Sequence, residues 1–136
     1  MRRYGGFFLI FFSLHAAAVE VIVNRGVAGT SLAQASARAL FGMRLAKWPD
    51  GRPVQVFVLP DDHPAHIALC KEQLNIYPYQ LRQSWDRLVY SGLAQAPIEV
   101  ATEEALISRV ATTPGALGYV RKVKQNDPVK VLHVVE

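Results

Sequence analysis

The chain has 136 residues, enough for one domain and not two. Its 15 basic and 11 acidic residues include no run of five or more basic side chains, which gives no support to nucleic-acid binding. The single cysteine, Cys70, excludes an internal disulfide.

Residues 1–18 read as a secretory signal peptide. Arg2 and Arg3 form a positive start, residues 7–14 (FFLIFFSL) form an apolar run, and Ala16, Ala17 and Ala18 supply small residues for cleavage. The run is too short to span a bilayer as a helix, and charge resumes at Glu20. Cleavage leaves residues 19–136 as the mature domain, with the net charge reduced from +4 to +2 by loss of Arg2 and Arg3 and with no membrane span. An uncleaved N-terminal anchor is the alternative.

Residues 19–24 (VEVIVN) predict an apolar strand that turns out at Asn24-Arg25-Gly26. From Thr30 or Ser31, a favourable N-cap, residues 31–42 (SLAQASARALFG) predict a helix that stops at Gly42. Residues 47–53 (KWPDGRP) carry turn chemistry. Alternating Val54, Val56 and Val58 predict a strand over 54–59, ended by Pro60, and a helix runs from about Pro64 to Asn75. On that helix Cys70 falls among Ile67, Leu69 and Leu74, which reads as a buried, inert thiol. Pro78 opens a further helix with Leu81, Trp85, Leu88 and Val89 on one face and Gly92 just past its end. Residues 97–101 (PIEVA) form a short strand. Thr102 then caps a helix that opens with Glu103 and Glu104, carries Leu106, Ile107 and Val110 inward, and breaks at Pro114-Gly115. Strands at 116–122 and 129–136 finish the chain around a polar turn at 125–128, with His133 alternating outward.

Strands alternating with helices predict an α/β fold, a single three-layer domain with a mostly parallel sheet flanked by helices. Ligands in such sheets sit beyond the carboxyl ends of the strands, beside helix N-termini. That rule puts Thr30, Ser31, Asp61, Asp62, His63 and Thr102 in candidate positions, and the first five are the candidate ligand-binding residues.

Four landmarks follow one another in the chain. They are S-L-x-x-x-x-x-x-x-L-F-G (31–42), W-P-D-G (48–51), a helix centred on Trp85, and P-G-A-L-G-Y-V (114–120). In this order they resemble the phosphate-binding-protein branch of the type 2 periplasmic binding proteins, the solute receptors of ABC transporters. The resemblance implies one lobe of a receptor that normally closes two lobes on its ligand. In phosphate receptors the loop after the strand matching 54–59 carries an S-G-T type signature that holds the anion. Here the positions read Asp61, Asp62, His63 and Pro64: the hydroxyls are gone, and Pro64 brings no N–H. At ~4 Å, like charges repel by roughly 4 kcal/mol at an effective dielectric near 20, so free phosphate is disfavoured at this loop.

Asp61, Asp62, His63 and His66 also suggest a metal set, because i and i+3 histidines can share one side of a helical turn. No tightly spaced further ligand accompanies them, and capping by aspartate with Pro64 near the first helical position is the favoured reading. Capping likewise accounts for Thr30 and Ser31. Trp85 reads as core, Trp48 as packing its own loop, and Arg25, Arg38, Arg44 and Arg82 as scattered on a solvated face. No G-x-S-x-G, H-E-x-x-H or P-loop motif is present, so neither enzyme nor cofactor is expected. The expectation is an exported, periplasmic, non-enzymatic solute-binding-like module, linked to phosphate or other oxyanion transport. A second copy or a partner protein would complete its cleft. The alternative is a protein-interaction scaffold that has lost ligand binding.

Overall fold

A computed structural model describes residues 18–136; the expected signal peptide, Ala18 apart, lies outside the described residues. The elements in order are β1 (Glu20–Val23), β2 (Ser31–Ala33), α1 (Gln34–Phe41), β3 (Gln55–Val58), α2 (Pro64–Ala68), α3 (Pro78–Tyr90), β4 (Ile98–Glu99), α4 (Glu103–Thr112), β5 (Ala116–Val120) and β6 (Lys130–Val135). A π-helical turn, Leu69–Leu74, continues α2 directly.

The strands form one sheet in the order β2-β6-β1-β5-β3-β4. β1 runs antiparallel to both β5 and β6, while the β2–β6, β3–β5 and β3–β4 pairings are parallel. The sheet is therefore mostly parallel, as expected, with β1 the one reversed strand. All five residues of β5 are buried, the signature of a strand covered on both faces. Successive side chains along it take opposite sides. Gly118 meets α4 so closely that an added Cβ would lie 2.6 Å from Leu106 Cδ2 and 3.1 Å from Val110 Cγ2. Tyr119 turns to the other layer, its ring 5.9 Å from Phe41 of α1 and 5.7 Å from His66 of α2.

The helix expected from Ser31 begins three residues later. Ser31, Leu32 and Ala33 extend and pair with His133, Val134 and Val135, so α1 starts at Gln34 behind Ala33, which offers no side-chain cap. Pairing with a strand a hundred residues away outweighs the local capping signal of Thr30 and Ser31, whose hydroxyls therefore do not cap α1.

Side chains from neighbouring elements satisfy the helix ends. Trp85 Nε1 donates to the Phe41 carbonyl at 2.7 Å and Ser84 Oγ to the Gly42 carbonyl at 2.8 Å, closing the end of α1. Arg38 Nε and Gln34 Nε2 donate to the Leu74 and Gln73 carbonyls of the wide turn, at 2.6 and 3.0 Å. Asn24 Nδ2 donates to the Val110 and Ala111 carbonyls at the end of α4. The 47–53 loop is fastened by Trp48, whose Nε1 donates to the Gly115 carbonyl at 3.0 Å. Gly115 adopts φ +75°, and a Cβ there would fall 2.3 Å from the Pro53 carbonyl oxygen, so only glycine fits.

Candidate functional site

The carboxyl ends of β3, β4 and β5 lead into three segments: residues 60–63, the start of α4, and residues 121–123. Residues 60–63 turn tightly, with the His63 N–H donating to the Pro60 carbonyl. The capping expectation holds for the position but not for the residue. His63 is the N-cap of α2, its Nδ1 accepting from the Ala65 N–H at 3.0 Å, and Pro64 follows at the first helical position.

Asp61 is freed from capping and reaches α3 instead. Arg82 grips it with two hydrogen bonds, Nη2 to Oδ1 at 2.8 Å and Nε to Oδ2 at 3.0 Å. The guanidinium also lies 5.0 Å from the centre of the Trp85 ring. Its hydrogen bonds hold the Asp61 carboxyl below the usual carboxylate range. Asp62 is exposed.

His66 does not join His63. It is fully buried, and its Nδ1 lies 2.5 Å from the Tyr119 hydroxyl. That hydroxyl also accepts from the Leu59 N–H at 2.8 Å, so Tyr119 ties the end of β3 to the buried imidazole. Nε2 stands 3.8 Å from Cys70 Sγ and 3.9 Å from Asp61 Oδ1. Burial lowers the His66 pKa, against an upward pull from Asp61. A neutral His66 makes the 3.9 Å approach to Asp61 a polar contact and not an ion pair. The same burial pushes the Cys70 thiol up to about 12. The four side chains weighed as a metal set are thus split between surface and core, and among the described residues no three His, Cys, Asp or Glu side chains gather around a metal-sized site.

At the start of α4, Thr102 Oγ1 accepts from the Ala105 N–H at 3.1 Å, as its sequence position predicts. Glu103 turns toward β5. Its Oε1 accepts from the Arg121 backbone N–H at 2.6 Å, and its Oε2 accepts from Arg121 Nε at 2.9 Å and pairs with Nη2 at 2.7 Å. Burial opposes ionisation of Glu103, yet these hydrogen bonds hold its carboxyl below the ordinary value. Glu20, on the reversed strand β1, accepts from the Val123 N–H at 3.1 Å. The adjoining cleft, ≈ 370 Å³, balances Arg121, Lys122 and Lys124 against Glu103, Glu104 and Asp127.

Two guanidinium groups and two backbone N–H groups at the strand ends are therefore engaged by Asp61, Glu103 and Glu20 of the same chain. Arg82, read from sequence as solvated, and Arg121 escaped notice because their partners lie 21 and 18 residues away with no motif linking them. Thr30 and Ser31 stand apart from this group. With β6, β1 and β5 between β2 and β3, they are four strand spacings away, about 19 Å.

No protein-family model matches the chain, and no curated protein matches its sequence. Solved structures do match. PstS from Borrelia burgdorferi superposes with a TM-score of 0.63 at 11% identity, covering 85% of this chain and 46% of its own. An ABC-type phosphate transport receptor from Vibrio cholerae gives 0.60 at 12% identity, covering 84% and 44%. A substrate-binding protein with bound phosphate from Clostridium perfringens gives 0.61 at 12%, covering 85% and 44%. The likeness is one of fold. The chain spans less than half the length of these proteins, and its α/β domain matches one lobe of phosphate-binding-protein-like folds.

Proposed function

We propose that the chain is an exported, non-enzymatic, solute-binding-protein-like lobe that works against a second body, another copy or a partner protein. It does not capture a free oxyanion by itself. The occupation of the strand-end donors by Asp61, Glu103 and Glu20 supports this reading. An incoming anion would have to displace carboxylates tethered in place, whose effective concentration is on the order of millimolar or more. Titration calorimetry of the verified monomer with inorganic phosphate should show no sub-micromolar binding, and such affinity would overturn the proposal.

A second reading keeps the ligand. The lobe, completed by its partner, would enclose a small oxyanion near Asp61, Asp62 and His63. One structural neighbour was solved with bound phosphate, which favours it. Phosphate affinity that appears only under conditions of self-association would support this version against the first. Export rests on residues 1–18, a signal peptide by composition, and on the likeness to transport receptors. N-terminal sequencing of protein from the periplasmic fraction should begin at Val19; membrane-bound material retaining Met1 would refute it.

A further inference from the structure

A different surface carries charge that no carboxylate among the described residues pairs with. Between the end of α1 and α3 lies a cleft of ≈ 270 Å³ lined by Arg38, Arg44 and Arg87, together with Ser84 and Gln83, and it holds no carboxylate. The next depression, ≈ 390 Å³, shares Ile76 and Gln80 with it and adds Lys71 and Tyr77. Tyr77 stacks on Tyr79 with centroids 5.7 Å apart and planes at 17°, and the two rings are 59% and 60% exposed.

The arginines are not equivalent. Arg38 is held in place, its Nε on the Leu74 carbonyl and its Nη2 on Gln34 Oε1. Arg44 and Arg87 are exposed and form no ion pair among the described residues. Four cations without an acid contrast with the cleft beside Glu103, where three of each sign meet. Gathered like charges repel one another, and a carboxylate entering between them relieves that repulsion. Guanidinium forks match carboxylates in geometry, and arginine and tyrosine are the side chains that most often carry binding energy at protein interfaces.

We propose that this surface docks an acidic segment of a partner protein. Its carboxylates meet Arg38, Arg44 and Arg87, and its chain continues over Ile76 toward Lys71 and the Tyr77–Tyr79 pair. Two joined depressions ending in exposed aromatics fit an extended chain better than a compact ion, which would occupy only the first. The absence of any basic run in the sequence argues against a nucleic-acid backbone. The inference deepens the docking function proposed above and rests on it for the nature of the partner. Phosphate calorimetry addresses the strand ends and peptide binding addresses this surface, so either can fail alone.

Fluorescence anisotropy with a labelled alternating Glu-Gly peptide of about ten residues tests the proposal on the purified protein. The peptide should bind, and binding should weaken as sodium chloride is raised. The same peptide with Gln for Glu should not bind. Arg44→Gln with Arg87→Gln should weaken binding by about tenfold or more while leaving the melting temperature unchanged, because both side chains are exposed. Arg44→Lys with Arg87→Lys should recover only part of the loss, since lysine lacks the fork. Failure of the Glu-Gly peptide to bind, equal binding of the Gln peptide, or unchanged binding by the Gln variants would overturn the proposal. Displacement of the peptide by an oligothymidylate or by inorganic phosphate at lower concentration than unlabelled Glu-Gly peptide would also overturn it.

Discussion

Replacing Tyr119 by phenylalanine removes one oxygen from the centre of the molecule and keeps the ring. That oxygen accepts from the Leu59 N–H and shares a hydrogen bond with His66 Nδ1, and Leu59, His66 and Tyr119 are all fully buried. Two polar groups lose their partner where water does not reach. An unsatisfied buried donor or acceptor costs about 1–3 kcal/mol, so Tyr119→Phe should destabilise by about 2–6 kcal/mol, a large share of the ~5–15 kcal/mol typical of a domain. Urea unfolding followed by tryptophan fluorescence reports it, because Trp48 and Trp85 are both buried. The pH dependence supplies an independent check. His66 has its pKa lowered in the fold, so the unfolded chain binds its proton more readily. The stability it contributes is complete above about pH 6.5 and is lost as pH falls toward the folded value. Asp61 and Glu103, also lowered, add their losses only below their ordinary values of 3.8 and 4.5. Between about pH 6.5 and 5 the slope therefore belongs to His66. Burial, the cause of the lowered pKa, is kept in Tyr119→Phe, so the slope should persist in the variant. A loss below about 0.5 kcal/mol would refute the hydrogen-bond assignment, and a wild-type protein without the slope would refute the lowered His66 pKa.

Gly115→Ala should be severe, about 3 kcal/mol or more, because the backbone is at φ +75° and the new Cβ would meet the Pro53 carbonyl. A melting temperature within a few degrees of wild type would contradict it. Asp61→Asn should cost at most about 1 kcal/mol, because the Asp61 and Arg82 side chains are 39% and 43% exposed. The same change should move the His66 pKa further down, measured by NMR titration of the imidazole, since Asp61 is what pulls it up. Cys70 should be unreactive toward a thiol reagent in the native protein and react only as the protein unfolds, given its burial and its pKa of about 12; rapid native labelling would disprove this.

Several elements were legible because their signals are local. Thr102 caps α4, Pro78 opens α3, Gly92 follows its end at φ +75°, and Trp85 and Cys70 lie in the core as their spacing implies. The stripe on α3 is narrower than expected: Leu81 and Trp85 are buried, but Leu88 is half-buried and Val89 is 41% exposed. Partners across the fold carried no such signal, which hid the pairing of Ser31 with His133, the grip of Arg82 on Asp61 and the inward turn of His66. The landmarks behind the family resemblance have a shared physical role. Trp85 closes on Phe41, and Trp48 closes on Gly115, so the four stretches meet in two pairs of fasteners. Such contacts preserve a lobe whatever it binds. Residues 60–64, where the resemblance fails, lie instead at the strand ends, so likeness in the fasteners speaks to architecture and not to ligand.

β1 comes first among the described strands, yet it is held between β5 and β6, pairing Val21 with Tyr119 on one side and Leu132 on the other. Its neighbours are made roughly a hundred residues later, and such remote pairing is slow to form. During synthesis this apolar segment must wait unpaired until β5 and β6 have emerged. A chain lacking β6 would leave one flank of β1 open to any other edge it met.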